Sequence, residues 1–180
     1  ITGTNDVPTI AGVVTGDITE DGSLTATGTA TISDADTGES EFTPETIAGT
    51  HGSLAIATNG AWTYTVADMN STAIQELPAG STITDTITIT SEDGSQTQDV
   101  VITITGTNDV PVIAGTVTGN ITEDGSLTAT GTATIADVDT GESEFTVETG
   151  LAGTHGTLYM DAAGAWTYIV TDMNSSAIQE

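Results

Sequence analysis

Apolar and polar residues alternate with a period of two along most of this 180-residue chain. Leu24, Ala26, Ala30 and Ile32 are interleaved with Thr25, Thr27, Thr29 and Thr31, and Trp62, Tyr64 and Val66 with Thr63 and Thr65. Ile83, Ile87 and Ile89 alternate with Thr84, Thr86, Thr88 and Thr90, and Val100, Ile102 and Ile104 follow. Such alternation buries one face of a strand and wets the other, as an antiparallel sheet requires. Asn59-Gly60, between Leu54/Ile56 and Trp62/Tyr64, predicts a hairpin with a two-residue turn. No helical periodicity of useful length interrupts the pattern. Roughly seven short strands separated by Gly, Asp and Asn turns predict an all-β fold, an antiparallel β-sandwich.

The pattern repeats. Ile1-Thr-Gly-Thr-Asn-Asp-Val-Pro8 returns as Ile104 to Pro111, an offset of 103 residues, and Ile18 to Leu24 return as Ile121 to Leu127. One inserted residue near Leu151 moves the offset to 104, so that His51, Trp62 and Glu76 match His155, Trp166 and Glu180. A period near 100 residues is the size of one sandwich domain. The expected organisation is a linker over 1–8, a complete repeat over 9–107, and a second repeat over 108–180. That second repeat stops before the counterparts of the two strands between Leu77 and Ile104. Either the sequence is a window on a longer periodic chain, or strands of another molecule complete the fold.

Charge changes the picture. The chain has 26 Asp plus Glu and no Lys or Arg, a formal charge of −26. Self-repulsion on this scale opposes a compact state, and the core predicted to resist it is thin, with Ala and Gly at inward positions and Trp62 and Tyr64 as its largest plugs. Bound cations are the economical source of positive charge. Nucleic acid and anionic lipid are disfavoured as partners by the same charge. No apolar run approaches the ~20 residues of a membrane-spanning helix, and the absence of cysteine is compatible with export without disulfides.

The carboxylates gather at Glu20-Asp21, at Asp34-Ala-Asp36-Thr-Gly38-Glu39, at Glu92-Asp93-Gly94, and at Asn5-Asp6 and Asn108-Asp109. Glu123, Asp124, Asp137 and Asp139 repeat the first two groups. Calcium takes six to eight oxygens, mostly carboxylate and carbonyl. Asp-x-Asp-x-Gly offers two carboxylates on one side of a turn, with glycine letting the backbone bend. Zinc or copper fits poorly, because each repeat supplies one histidine. Against the calcium reading stands the ordinary preference of Asp, Asn and Gly for solvated turns. Number and recurrence of the clusters favour calcium.

Gly3-Thr-Asn-Asp-Val-Pro8, Trp62-Thr-Tyr-Thr-Val66, Ala73-Ile-Gln-Glu-Leu77 and Thr82-Ile-Thr-Asp-Thr86 running to Asp109 resemble the VCBS repeat, a cadherin-like repeat of giant RTX-type bacterial surface adhesins. The resemblance spans essentially the whole chain. It implies a secreted, cell-surface extender that projects a terminal ligand-binding region and carries no catalysis. In cadherins an acidic residue near the first strand, an Asn-Asp linker and an Asp-x-Asp of the next domain share calcium. The resemblance therefore implies one ligand set of Glu20 or Asp21 with Asn108, Asp109, Asp137 and Asp139. A second would hold Asn5, Asp6, Asp34 and Asp36, with Asp93 at a matching position. Gly106-Thr107 stands where cadherins carry a further Asp, which implies fewer or weaker ions.

The expected partners are neighbouring repeats of the same chain. The alternative is a self-associating filament subunit or glycan-binding module, built from identical chains through the exposed threonine faces or exchanged strands. Neither His51 nor His155 has a Ser or Cys partner that would support nucleophilic catalysis. Adjacent Glu20-Asp21 on a turn lacks the spaced geometry of a glycosidase pair.

Overall fold

The computed structural model describes residues 2–122 and 125–171, and the chain divides into two compact units, Ile1–Asn108 and Asp109–Glu180. The first unit is an all-β sandwich, as the alternation predicts. Strands β1 (Thr9–Gly12), β3 (Thr25–Ser33), β6 (Ala61–Val66), β5 (Gly52–Ile56) and β4 (Glu45–Ala48) form one antiparallel sheet in that order. Strands β2 (Thr15–Thr19), β8 (Thr97–Thr105) and β7 (Thr82–Thr90) form the other, with β2 parallel to β8 and β7 antiparallel to it. Ala26, Ala30, Leu54, Ile56, Trp62, Tyr64 and Val66 of the first sheet pack against Ile18, Ile87, Ile89, Val100, Ile102 and Ile104 of the second. Each of these isoleucines, fully buried, contributes about 1.5–3 kcal/mol relative to exposure.

Three local details depart from expectation. Leu24 is half-exposed, because it lies on the turn before β3 and not within the strand. Asn59-Gly60 does not make a two-residue turn: Gly60 N–H donates to Ala57 O and Ala57 N–H to Ala61 O, and only Gly60 has positive φ, at 79°. The result is a three-residue hairpin loop with a bulge at glycine. A Cβ on Gly60 would stand 2.1 Å from Ala30 O, so close approach as well as φ demands glycine there. Finally, one helical turn, α1 (Thr72–Gln75), seats Ile74 in the core; at four residues it is too short to show a period.

The thin-core expectation acquires a mechanism. Gly28 lies under the Trp62 ring, where a Cβ would come within 2.4 Å of Cζ2. The small residues of β3 and Gly16 of β2 thus make the slot that one large indole fills, and Trp62 Nε1 donates to Val13 O at 2.7 Å.

One carboxylate lies inside this core. Asp85 of β7 is 2% exposed and accepts three hydrogen bonds: from Thr50 N–H and His51 N–H, both 2.9 Å, and from Tyr64 Oη, 2.8 Å. Burial works to raise its pKa, but the hydrogen bonds from His51, Thr50 and Tyr64 outweigh it and hold the group below the usual aspartate range. Tyr64 is pushed up, first by burial and then by its bond to Asp85. His51 acts here through its main chain, whose carbonyl also receives Ala67 N–H.

The described part of the second unit is a single sheet: β9 (Val112–Gly115), β10 (Thr128–Ala136), β11 (Glu148–Ala152), β12 (Gly156–Met160) and β13 (Ala165–Val170), in the order β11-β12-β13-β10-β9. Its registers reproduce those of the first unit: Thr128 faces Ile169 as Thr25 faces Thr65, and Gly156 faces Val170 as Gly52 faces Val66. The inserted residue is absorbed between Glu148 and Leu151 as a β-bulge containing Gly150. Inserting there keeps every inward residue downstream on its face. No helix among the described residues is long and apolar enough to cross a membrane.

Candidate metal centre

The loop that leaves β3 folds back on itself through its own acidic side chains. Asp34 Oδ1 accepts Asp36 N–H at 2.7 Å, and Asp34 N–H donates to Ser40 Oγ at 2.9 Å. Gly38, at φ 91°, turns the chain so that Glu39 faces the two aspartates. One carboxylate oxygen from each of Asp34, Asp36 and Glu39 lies within 4.8 Å of the others, and all three residues are half-buried. Asp34 Oδ2 and Glu39 Oε2 are buried and receive no hydrogen bond. Loss of solvent first, and then the charges of Asp36, Asp34 and Asp93, push the Glu39 pKa up.

Sequence-distant residues close on this loop. Asp6 N–H donates to Asp36 Oδ2 at 2.8 Å, and Asn5 Nδ2 donates to Asp93 Oδ2 at 3.1 Å. Asp93 sits in the turn between β7 and β8 and is held well below the usual carboxylate range by hydrogen bonds from Ser91, Ser95 and Asn5. Asn5, Asp6, Asp34, Asp36 and Asp93 are therefore joined through hydrogen bonds at one end of the first unit. Glu39, quoted in the acidic run with Asp34 and Asp36 but left out of the implied ligand sets, joins them; its signal is its place three residues after Asp36, just beyond the glycine.

At the other end of that unit Glu20 is 1% exposed, and its Oε2 accepts Thr107 N–H at 2.9 Å. Asp21 beside it is exposed, with φ 58°. Asn108 ends the first unit and Asp109 begins the second. In the second unit Asp109 N–H donates to Asp139 Oδ2 at 2.8 Å, Asp139 N–H to Asp137 Oδ1 at 2.9 Å, and Asp137 N–H to Ser143 Oγ at 2.9 Å. This is the first unit's arrangement over again. Asp139 is 2% exposed and its Oδ1 receives no hydrogen bond. Glu123 and Asp124 lie outside the described residues.

Chemically, these loops offer oxygen only. A buried, unsatisfied carboxylate oxygen costs several kcal/mol unless a charge meets it, and the chain contains no Lys or Arg to do so. The donor set fits a hard, oxygen-seeking cation, with ligands at Asp34, Asp36 and Glu39 in one unit and Asp137 and Asp139 in the other. It does not fit a nitrogen- or sulfur-seeking metal.

Comparison with known proteins agrees with the fold. The chain is similar over 92% of its length to protocadherin gammaB7 EC3-6, seen in a cis-dimer structure, with a TM-score of 0.52 and 17% identity, covering 39% of that chain. Over 94% it is similar to the protocadherin GammaB4 extracellular domain, with a TM-score of 0.55 and 14% identity, covering 27% of that chain. It thus spans well under half the length of these structures, and the likeness is one of fold. No curated protein matches the sequence. The profile of the bacterial cadherin-like domain matches residues 5–106 and again 108–179, nearly the whole chain. On that match, the protein belongs to the bacterial cadherin-like domain family.

Proposed function

We propose that the chain is a calcium-rigidified extender of a secreted bacterial surface adhesin, built of VCBS-type repeats and without catalysis. The observation that carries this reading is the cluster of Asp34, Asp36 and Glu39, with buried oxygens of Asp34 and Glu39 that meet no donor in a chain without basic side chains. Calcium held there would also engage the segment before β1, since Asp6 is already bonded to Asp36 and Asn5 to Asp93. In the second unit, Asp139 accepts the N–H of the linker residue Asp109, and Asp137 accepts that of Asp139. Glu20 holds the same linker two residues earlier, at Thr107. An ion that fixes these loops removes freedom from the linkers, which is how a string of domains becomes a stiff spacer.

Isothermal titration tests it. The chain should bind calcium with a Kd on the order of 10⁻⁴ M, the range of extracellular modules, and magnesium more weakly. Asp34→Asn with Asp36→Asn should remove the first unit's site. Small-angle scattering of a multi-repeat chain should show its maximum dimension shrink on chelation. Heat-free titrations, or dimensions indifferent to chelator, would sink the proposal.

A further inference from the structure

The outward face of the five-stranded sheet is a field of small residues in the first unit. Thr46, Ala55, Ala57, Ala61 and Thr63 are all exposed there, while β2, β7 and β8 cover the opposite face. This surface is therefore open in a unit that has both of its layers. The second unit departs from the pattern in three ways, and the departures converge. Tyr159 stands where the first unit has Ala55, Asp161 stands where it has Ala57, and an extra residue makes the bulge between Glu148 and Leu151 that β4 lacks. Glu148, Thr149, Tyr159 and Asp161 line one cavity of about 430 Å³, together with Ala165 and Thr167 of β13.

Tyr159 is 41% exposed, and among the described residues it is the one exposed aromatic ring. Asp161 is fixed by the turn it begins. Its Oδ1 accepts Ala165 N–H at 2.9 Å, its N–H donates to Ala165 O at 3.1 Å, and its carbonyl accepts Gly164 N–H at 3.0 Å. Its Oδ2 takes no part in these bonds. In the first unit the equivalent N–H, that of Ala61, is held by the neutral side chain of Asn59, so the turn itself does not call for an acid.

We infer that this cavity is a docking site for an arginine side chain of a basic partner protein. A tyrosine ring beside two acidic groups is matched by a planar cation. The guanidinium lies on the ring face, and its fork of N–H groups reaches the carboxylates of Asp161 and Glu148. The hydroxyls of Thr149 and Thr167 accept the N–H groups left over. Charge decides who the occupant is. Another copy of this sequence has no Lys or Arg to offer, whereas a formal charge of −26 draws basic segments in. The bulge points the same way: it breaks the ladder of the edge strand β11, so recognition rests on a side chain in the cavity and not on an added strand. The first unit, with alanine at both positions, lacks the site.

The test adds acetyl-Gly-Ser-Arg-Ser-Gly-amide to the 180-residue chain in excess calcium, so that any loop which takes that ion is already filled. The ring-proton NMR signals of Tyr159, identified by their loss in Tyr159→Ala, should shift saturably, with a midpoint on the order of 10⁻³ M. The same peptide with citrulline for arginine, equal in shape but neutral, should leave them unmoved. Added salt should weaken binding. Asp161→Asn keeps an oxygen for Ala165 N–H but removes the charge, and should weaken binding about threefold. Tyr159→Ala, followed through the amide signal of Thr167 on the paired strand, should weaken it about fivefold. Circular dichroism melts establish that both variants are folded. Equal shifts with the citrulline peptide, binding indifferent to both substitutions, or maltotriose moving the Tyr159 signals where the arginine peptide does not, would each overturn the proposal.

Discussion

Trp62 and Trp166 occupy equivalent places in equivalent registers, each over a glycine of the neighbouring strand, Gly28 or Gly131, yet one is buried and the other half-buried. Each indole Nε1 even donates to the same kind of acceptor, Val13 O in one unit and Thr116 O in the other. The difference is therefore not local. Strand pairing inside a five-stranded sheet needs only that sheet's own alternation, whereas burial needs a second layer. Among the described residues, the two repeats separate what one sheet forms by its own alternation from what the packing of β2, β7 and β8 adds in the first.

The strongest way to break this comparison is to truncate both rings. Trp62→Ala removes a buried indole and should cost about 3–5 kcal/mol, enough to unfold the first unit at moderate temperature. Trp166→Ala should cost less, because its ring is only half-buried. Guanidinium melts followed by circular dichroism measure both. Equal losses would mean that the second unit's face is covered in solution.

Asp85 comes next. Asp85→Asn keeps the shape but replaces an acceptor with a donor facing Thr50 or His51, and should cost about 2–3 kcal/mol. Acid sharpens it. Because the folded pKa of Asp85 lies below its ordinary value, its contribution is complete above the unfolded aspartate range, near 3.9, and disappears as pH falls through the depressed folded value. The gap between wild type and Asp85→Asn should therefore be constant from neutrality to about pH 5 and close in stronger acid. His51 and Tyr64 are the titratable groups that face Asp85. A gap that closes near neutrality would assign the effect elsewhere.

How much of this was legible beforehand follows from the same distinction. Ala26, Ala30, Trp62, Tyr64, Ile87, Ile89 and Ile102 were readable as inward because alternation is a property of one strand. The joining of Asn5 and Asp6 to Asp36 and Asp93 was readable only through the family resemblance, since nothing in the spacing of residues 5 and 93 brings them together. Asp85 was quoted as part of a motif but not as a core carboxylate. Its partners come from a loop 35 residues earlier and from a strand of the other sheet, and an Asp among threonines looks like one more polar residue. The turn at Asn59-Gly60 misled because the dipeptide is shared by two loop types that differ in the φ of the residue before glycine.

Calcium separates the units in a third way. The first unit brings three carboxylates together; among the described residues of the second, Asp137 and Asp139 are joined but Glu142 does not complete such a triad. Chelation should lower the first unit's melting temperature more than the second's. At calcium a hundredfold above its Kd, about 2.7 kcal/mol is at stake, and differential scanning calorimetry of the chain with and without chelator reads it. Asp34→Asn should erase the calcium-dependent part for the first unit, and Asp137→Asn for the second. A calcium shift that survives Asp34→Asn unchanged would remove this loop from consideration.

The smallest effect is the most diagnostic, because its sign changes with the ion. Glu39 sits among Asp34, Asp36 and Asp93, and their charges together with lost hydration disfavour its ionised form. Without a cation, its negative charge is a burden on the folded loop, and Glu39→Gln should raise the calcium-free melting temperature slightly. With calcium the same substitution withdraws one of the clustered oxygens and one unit of negative charge, so binding should weaken by roughly tenfold. A turn held merely by hydrogen bonds has no reason to respond in opposite directions, since Glu39 Oε2 accepts none. If Glu39→Gln lowers the melting temperature equally with and without calcium, the triad is a packing feature, and the difference between the two loops has to be sought in Gly38 and its turn.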